Sequence, residues 1–205
     1  MRDKGFSLVE LIIVIAIIAI LAAAIAPVLI RYITKARKAD DIAAADTIGV
    51  SVNAAITADD EMVEFIAWNV SELKRSGSNN EYRVIGFSNV SSSRQGQAYR
   101  NPFRVNNNLP SKYYDTGQKF AAFMNEDLGN ELVTMRFSSF SKLDQWILCV
   151  DKNEHISVWV GADMNGNIWH IREDGTAGGT QKYYKLWPEV DSEYNQLNNA
   201  NDVPG

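Results

Sequence analysis

The residue most in need of a chemical partner is Glu10. It stands just before twenty residues, 11–30, that carry no charged or hydrogen-bonding side chain. A charged side chain in an apolar helix costs roughly 2.5–3.5 kcal/mol at mid-membrane, and less near the interface. Left unpaired in a low-dielectric setting, a carboxylate either takes up a proton or seeks a cation. The other reactive side chains form weaker patterns. His155 and His170 have no nearby cysteine pair and no H-x-x-x-H spacing, so neither is read as a metal ligand or a catalytic base. Asp163, Asn165 and Asn167 alternate as in a calcium loop. Gly166 stands at the fourth place, however, and no glutamate follows at the twelfth, so the EF-hand pattern fails and a hairpin turn is expected instead. Cys149 is the single cysteine, which excludes an intramolecular disulfide. It lies in Trp146-Ile147-Leu148-Cys149-Val150, which reads as a buried strand with the thiol acting as a small hydrophobe. No G-x-S-x-G, P-loop or glycine-rich dinucleotide turn is present. The expectation is a non-enzyme without a cofactor. Tyr113-Tyr114, Tyr183-Tyr184 and the five tryptophans could form sugar-binding or adhesive surfaces, but core and subunit packing is the default.

The elements that position Glu10 divide the 205 residues sharply. Met1-Arg2-Asp3-Lys4-Gly5 is a short polar leader with two basic residues, and the apolar run follows. About 20 apolar residues are what a helix needs to cross a bilayer core. After Tyr32 the chain reads as a soluble protein. The net charge is −5 and the sequence pI about 5.1, so bulk attraction to nucleic acid is not expected.

Three readings of this start compete. A cleavable secretory signal would use Ala24-Ile25-Ala26 as its A-x-A site. Its apolar segment is longer than the usual 7–15 residues, and Pro27 would directly follow the scissile bond. A plain transmembrane anchor needs no special N-terminus and leaves Glu10 unexplained. In the third reading the N-terminus is trimmed and every residue is used: Lys4-Gly5-Phe6-Ser7-Leu8-Val9-Glu10 closely resembles the prepilin peptidase site of type IV pilins and type II secretion pseudopilins.

In that family cleavage follows the glycine, the new N-terminal residue is usually an N-methylated phenylalanine, and a glutamate occupies the fifth mature position. The resemblance places those roles on Gly5, Phe6 and Glu10. It also implies that Pro27, twenty-second from Phe6, is the helix-kinking proline. Ala19 departs from the pattern, because many members carry glycine there. The partners implied are the prepilin peptidase, an inner-membrane platform protein, an assembly ATPase, minor pilins, and further copies of the chain in a helical filament. The implied location is a single-pass membrane protein with its head outside, then an extracellular pilus serving adhesion, motility or DNA uptake. A secretion or competence pseudopilin is the alternative within the family. A membrane-anchored binding or enzymatic head that never polymerises is the alternative from another class.

The chemistry fits an assembly role. Cleavage would expose an α-amine on Phe6, cationic at neutral pH because such groups titrate near 7.7–8.0. A buried carboxylate and a neighbouring amine add little stability but specify alignment well. Pro27 removes a backbone donor and should kink or locally melt the helix.

Beyond the apolar run, Ile30, Ile33, Ala36, Ala39, Ile42, Ala45, Ile48, Val52 and Ile56 recur at three- and four-residue spacing. This is an amphipathic face, and it predicts one helix over 7–57. The division expected is a removed leader at 1–5, a membrane or filament-core half at 6–30, an amphipathic half at 31–57 and a head at 58–205. Arg31, Lys35, Arg37 and Lys38 follow the apolar run directly. By the positive-inside rule they favour a cytoplasmic side, against the orientation that the resemblance implies. Contact with acidic heads or with lipid headgroups are both open roles for them.

In the head, Asp59-Asp60-Glu61 predicts a helix start, since anionic residues suit its positive end. A short helix is expected over 61–74 and another around Phe120, Phe123, Met124 and Leu128, stopped at Gly129. Segments 132–137, 145–150, 155–161, 167–172 and 182–187 are rich in β-branched and aromatic residues, with Asn-Gly and Asp-Gly turns between some of them. The fold class read is α+β, with the long helix packed on a four- or five-stranded antiparallel sheet that runs as a simple meander; the resemblance implies the same arrangement, the pilin fold. The polar tail 195–205 is expected to fray. Some pseudopilins hold calcium in their C-terminal loops, so the resemblance implies a calcium site near Asp174 or Asp191 as an alternative to simple turns.

Overall fold

Ser7 begins the longest element of the chain, and Asp59 ends it. In the computed structural model, which describes residues 7–88, 103–105, 109–129, 135–137, 142–162, 168–178 and 181–204, helix α1 runs over Leu8–Ala58, 51 residues. Asp59 adopts an extended φ of −152° and serves twice, closing α1 and capping α2 (Asp60–Arg75) by accepting from the Glu61 amide at 3.0 Å. One such residue is enough to end one helix and start the next, because its carboxylate satisfies a donor that the new helix leaves unpaired. The expectation of a long helix followed by a short one is therefore met.

The second half of α1 lies on the head through small residues. Ala45, Gly49 and Ala55 are buried with Ile48 and Val52, so the backbone can approach the layer beneath closely. Helix α2 buries Met62, Phe65, Ile66, Val70 and Leu73. Helix α3 (Ser111–Asp127) is longer than expected and completes the helical layer. Its first half escaped notice because it is polar, and its end matches expectation, with Gly129 at φ 68°.

Under the helices lies one antiparallel sheet of six strands: β1 (Asn80–Ser88), β2 (Phe103–Arg104), β3 (Gln145–Asp151), β4 (Ile156–Gly161), β5 (His170–Arg172) and β6 (Tyr184–Trp187). The order is β2-β1-β3-β4-β6, and β5 also pairs with β1. A simple meander was the expectation. The structure corrects it, because β1 takes a central place beside β3 while β5 crosses back to it. Strand β1 was missed because it is buried on both faces from Val84 onward and Gly86 interrupts it, so no period-two alternation marks it. The strand expected over 132–137 falls partly outside the described residues, and 135–137 are not in strand.

Two apolar layers result. Ile85, Leu148, Val150, Val158, Val160 and Leu186 meet the helices on one face. Val84, Phe87, Ile147, Cys149, Trp159 and Tyr183 form a second cluster on the other. Cys149 is wholly buried there, as expected, and burial pushes its thiol well above the usual range.

The tail contradicts the expectation of fraying. Ala200 and Val203 are buried at and after a short 3-10 turn over Ala200–Asp202, and Tyr194 of α4 (Ser192–Gln196), just before the tail, is fully buried. A few apolar anchors in a polar segment suffice when lysines bind the backbone. Lys142 donates to the carbonyls of Asn201 and Val203, each at 2.7 Å.

Candidate functional site

The candidate site is a stretch of helix rather than a pocket. Its start is a capping box: Glu10 Oε2 accepts from the Ser7 amide at 2.9 Å, and Ser7 Oγ accepts from Val9 N at 3.4 Å. Two of the orphan donors of the first turn are thus satisfied by the side chains of Ser7 and Glu10. Glu10 has a local partner that sequence reasoning did not foresee, although the S-x-x-E pattern carries the signal. The carboxylate keeps further lone pairs available, since an ionised carboxylate can accept about four hydrogen bonds.

From Leu8 to Ile30 every residue is exposed, and none touches the head. The helix is long and apolar enough to cross a membrane. Leu11, Ile12, Ile13, Ile17, Ile18 and Leu21 lie on all sides of it, each more than half exposed. An apolar patch of this extent on an isolated chain marks an interface with lipid or protein.

Pro27 sits inside α1, and the helix continues through it. The expected local melting is not observed. The lost bond frees one carbonyl, that of Ala23, while strong helix formers on both sides keep the turn. Glu10 and Pro27 stand about 25 Å apart along the axis, so the structure does not bring them together. Gly5 and Phe6 lie outside the described residues.

Where α1 meets the head, Lys38 and Asp41 share one buried face, 7% and 0% exposed. Lys38 Nζ donates to the carbonyls of Asn195 and Leu197 at 2.6 and 2.9 Å, and it stands 5.7 Å from the centre of the Phe137 ring. Asp41 accepts from the amides of Arg136 and Phe137 at 2.6 and 2.9 Å and from the Tyr194 hydroxyl at 3.1 Å. Burial pushes the Asp41 carboxyl up to about 6 against those three hydrogen bonds, and neighbouring Asp40 adds to the rise. Burial, then the charge of Lys35, lowers the Lys38 ammonium. Lys38 therefore leaves the open basic cluster that the sequence suggested: its partners are the chain's own tail. No sequence pattern announces this pairing, which joins residues more than 150 positions apart.

The remaining candidates stay bland. His155 is exposed against Asp151, and His170 is partly buried beside Arg83. Burial, then the Arg83 charge, lowers the His170 imidazole. Asp174 and Asp191 line one groove of about 330 Å³. Asp174 accepts from Thr176 and Asp191 caps α4, so both carboxylates serve turns. Among the described residues no group of three or more His, Cys, Asp or Glu side chains is arranged to hold a metal ion. Asp163, Asn165 and Asn167 lie outside those residues.

Residues 1–26 match the family model described as the prokaryotic N-terminal methylation motif, the prepilin-peptidase signal of type IV pilins and pseudopilins. This motif supports a type IV pilin-like or pseudopilin protein. No curated protein and no solved structure matches the chain. The motif spans Gly5, Phe6 and Glu10, and Pro27 is the next residue after it. The motif implies processing by a prepilin peptidase and pilin-type assembly, and with the apolar helix it is consistent with a membrane-anchored pilin.

Proposed function

We propose that this chain is a structural, non-catalytic subunit of a type IV pilus. A prepilin peptidase cleaves it after Gly5, and Phe6 becomes the methylated N-terminus. Residues 6–30 hold it in the membrane with its head outside. An inner-membrane platform protein and its ATPase then draw it into a helical filament of many copies together with minor pilins.

One observation carries this reading. The methylation motif heads a 51-residue helix whose first half touches nothing in its own head. That half needs apolar cover, which lipid supplies before assembly and neighbouring helices supply afterwards. In the filament, Glu10 would give its free lone pairs to the Phe6 amine of an adjacent subunit, fixing axial register. Pro27 leaves the Ala23 carbonyl for a neighbour to satisfy and gives the helix its weakest point. The same motif heads the pseudopilins of secretion and competence systems, and filament length separates the two.

The test joins mass spectrometry of the mature N-terminus with electron microscopy of sheared surface material. A methylated Phe6 and long filaments containing this chain are expected. An intact Met1, or a chain that stays monomeric in cells making filaments, overturns the proposal. A methylated Phe6 with short envelope-bound filaments alone favours the pseudopilin.

A further inference from the structure

The first residues above the apolar run carry three exposed cations, Arg31, Lys35 and Arg37, and an exposed tyrosine, Tyr32, at 70%. None of the ion pairs among the described residues involves these three cations. The next cation, Lys38, is bound by tail carbonyls and faces the head. At 100° per residue, Arg31 and Lys35 fall within about 60° of Lys38 around the axis, whereas Arg37 falls on the other flank. Lys35 also acts on Lys38 through its charge, which agrees with that placement. Arg31 and Lys35 therefore point into the space beneath the head.

We propose that Arg31, Lys35 and Arg37 form a collar that docks on anionic phospholipid headgroups of the leaflet facing the head. The inference rests on the reading that residues 8–30 span a membrane. Helical rise places Lys35 about 6 Å and Arg37 about 9 Å beyond Arg31. A headgroup layer is about 5–8 Å thick, so all three cations can reach lipid phosphates from one seated position. Tyr32 is the residue type that favours the same level. Three like charges within two turns repel one another, and anionic lipid relieves that repulsion. With Lys38 diverted, the collar carries three cations, and the groove of the head where carboxylates outnumber Lys182 and Lys185 is lined by Tyr82 and Trp159 of the sheet face opposite α1. The collar would seat the head on the bilayer and hold the subunit upright before extraction.

The test reconstitutes the full chain into phosphatidylcholine vesicles that contain spin-labelled phosphatidylglycerol or spin-labelled phosphatidylcholine. At about 20 mM salt the expected preference for phosphatidylglycerol is about fivefold or more, since each basic group near an anionic surface contributes roughly that factor. The preference should collapse toward parity in R31Q/K35Q/R37Q and, for the unmodified chain, at about 0.5 M salt. K119Q, on an exposed lysine of α3 that pairs with Glu61, should change nothing. Resistance to alkaline extraction reads insertion separately. An inserted chain that binds the two lipids equally overturns the collar and leaves the transmembrane reading standing. A chain stripped by alkali overturns both. A lipid preference that survives in the triple variant while self-association weakens assigns the cations to neighbouring heads and also overturns the inference.

Discussion

Lys38 and Leu197 are 159 positions apart in the chain, and the ammonium of the first donates to the carbonyl oxygen of the second at 2.9 Å. With the matching bond to Asn195, this contact ties the tail to the lowest point at which α1 is buried by the head. In a chain with one cysteine, no covalent staple can do that task. Lys38→Met keeps the apolar stem but leaves two carbonyls without their partner. We expect a loss of about 1–3 kcal/mol, the usual cost of stranding buried polar groups. Urea unfolding in detergent gives the magnitude. Hydrogen exchange gives the place: amides of 192–204 should exchange faster while those of β3 and β4 stay protected.

Asp41 adds a pH dependence to the same junction. Its carboxyl is pushed up to about 6 from an ordinary value near 3.8, chiefly by burial. The groups acting on it are Asp40 on its own helix, the backbone amides of Arg136 and Phe137, and the Tyr194 hydroxyl of α4. A carboxyl raised in the folded state binds its proton more tightly there than in the unfolded chain. Its contribution to stability is thus fully present below about pH 4 and is lost as pH rises through 6, by on the order of 3 kcal/mol. Asp41→Asn cannot titrate, and its amide presents a donor where an amide or hydroxyl donor already points. The variant should be weaker at every pH, and the advantage of the wild type over it should shrink between pH 4 and pH 7. A constant difference across that range would remove Asp41 as the titrating group.

The two ends of this molecule were legible in the sequence to different degrees. The long helix was nearly complete on reading, because apolar residues without interruption admit few structures and because its second half keeps the three- and four-residue spacing of an amphipathic face. Strands β3, β4 and β6 were legible from their β-branched and aromatic content. Strand β1 was not, since burial on both faces erases the alternation that marks a strand. The Lys38–Asp41 cluster was invisible for a different reason. Its partners are backbone atoms at 136–137 and 195–197, and backbone atoms carry no sequence signature.

Gly49 is another position whose meaning only packing reveals. A Cβ built there would stand 2.4 Å from the indole of Trp187, whose Nε1 donates to Asp46 Oδ1 at 3.1 Å. Gly→Ala in mid-helix ordinarily stabilises by roughly 0.5–1 kcal/mol. Here the ring must move and release Asp46, and such overpacking costs about 1–3 kcal/mol. We expect Gly49→Ala to lower stability by about 1 kcal/mol and to shift tryptophan emission. A stabilised variant would show that the indole swings away freely.

Cys149 should be chemically silent. It is completely buried in the second apolar cluster, and its thiol is raised well above the usual range, so little thiolate forms near neutral pH. Alkylation at pH 8 should proceed only as fast as the head opens, and it should become rapid past the urea midpoint. Fast labelling of the native chain would mean that the sheet face over Cys149 opens locally.

Glu10 has two tasks that substitutions can separate. Its carboxylate closes the capping box with Ser7, and in the proposed filament it pairs with an amine from another subunit. Glu10→Gln keeps an oxygen for the Ser7 amide, since glutamine also serves at this place in the box, but it loses the charge. Ser7→Ala removes the hydroxyl that accepts from Val9 and leaves the charge intact. If register depends on the ion pair, Glu10→Gln should reduce sheared filaments at least about tenfold, as much as Glu10→Ala, because a buried amine left alone is costly. Ser7→Ala should still assemble, with helix stability lower by about 1 kcal/mol. The reverse pattern, with normal filaments from Glu10→Gln and failure of Ser7→Ala, would make Glu10 a helix cap alone and leave the register to apolar packing.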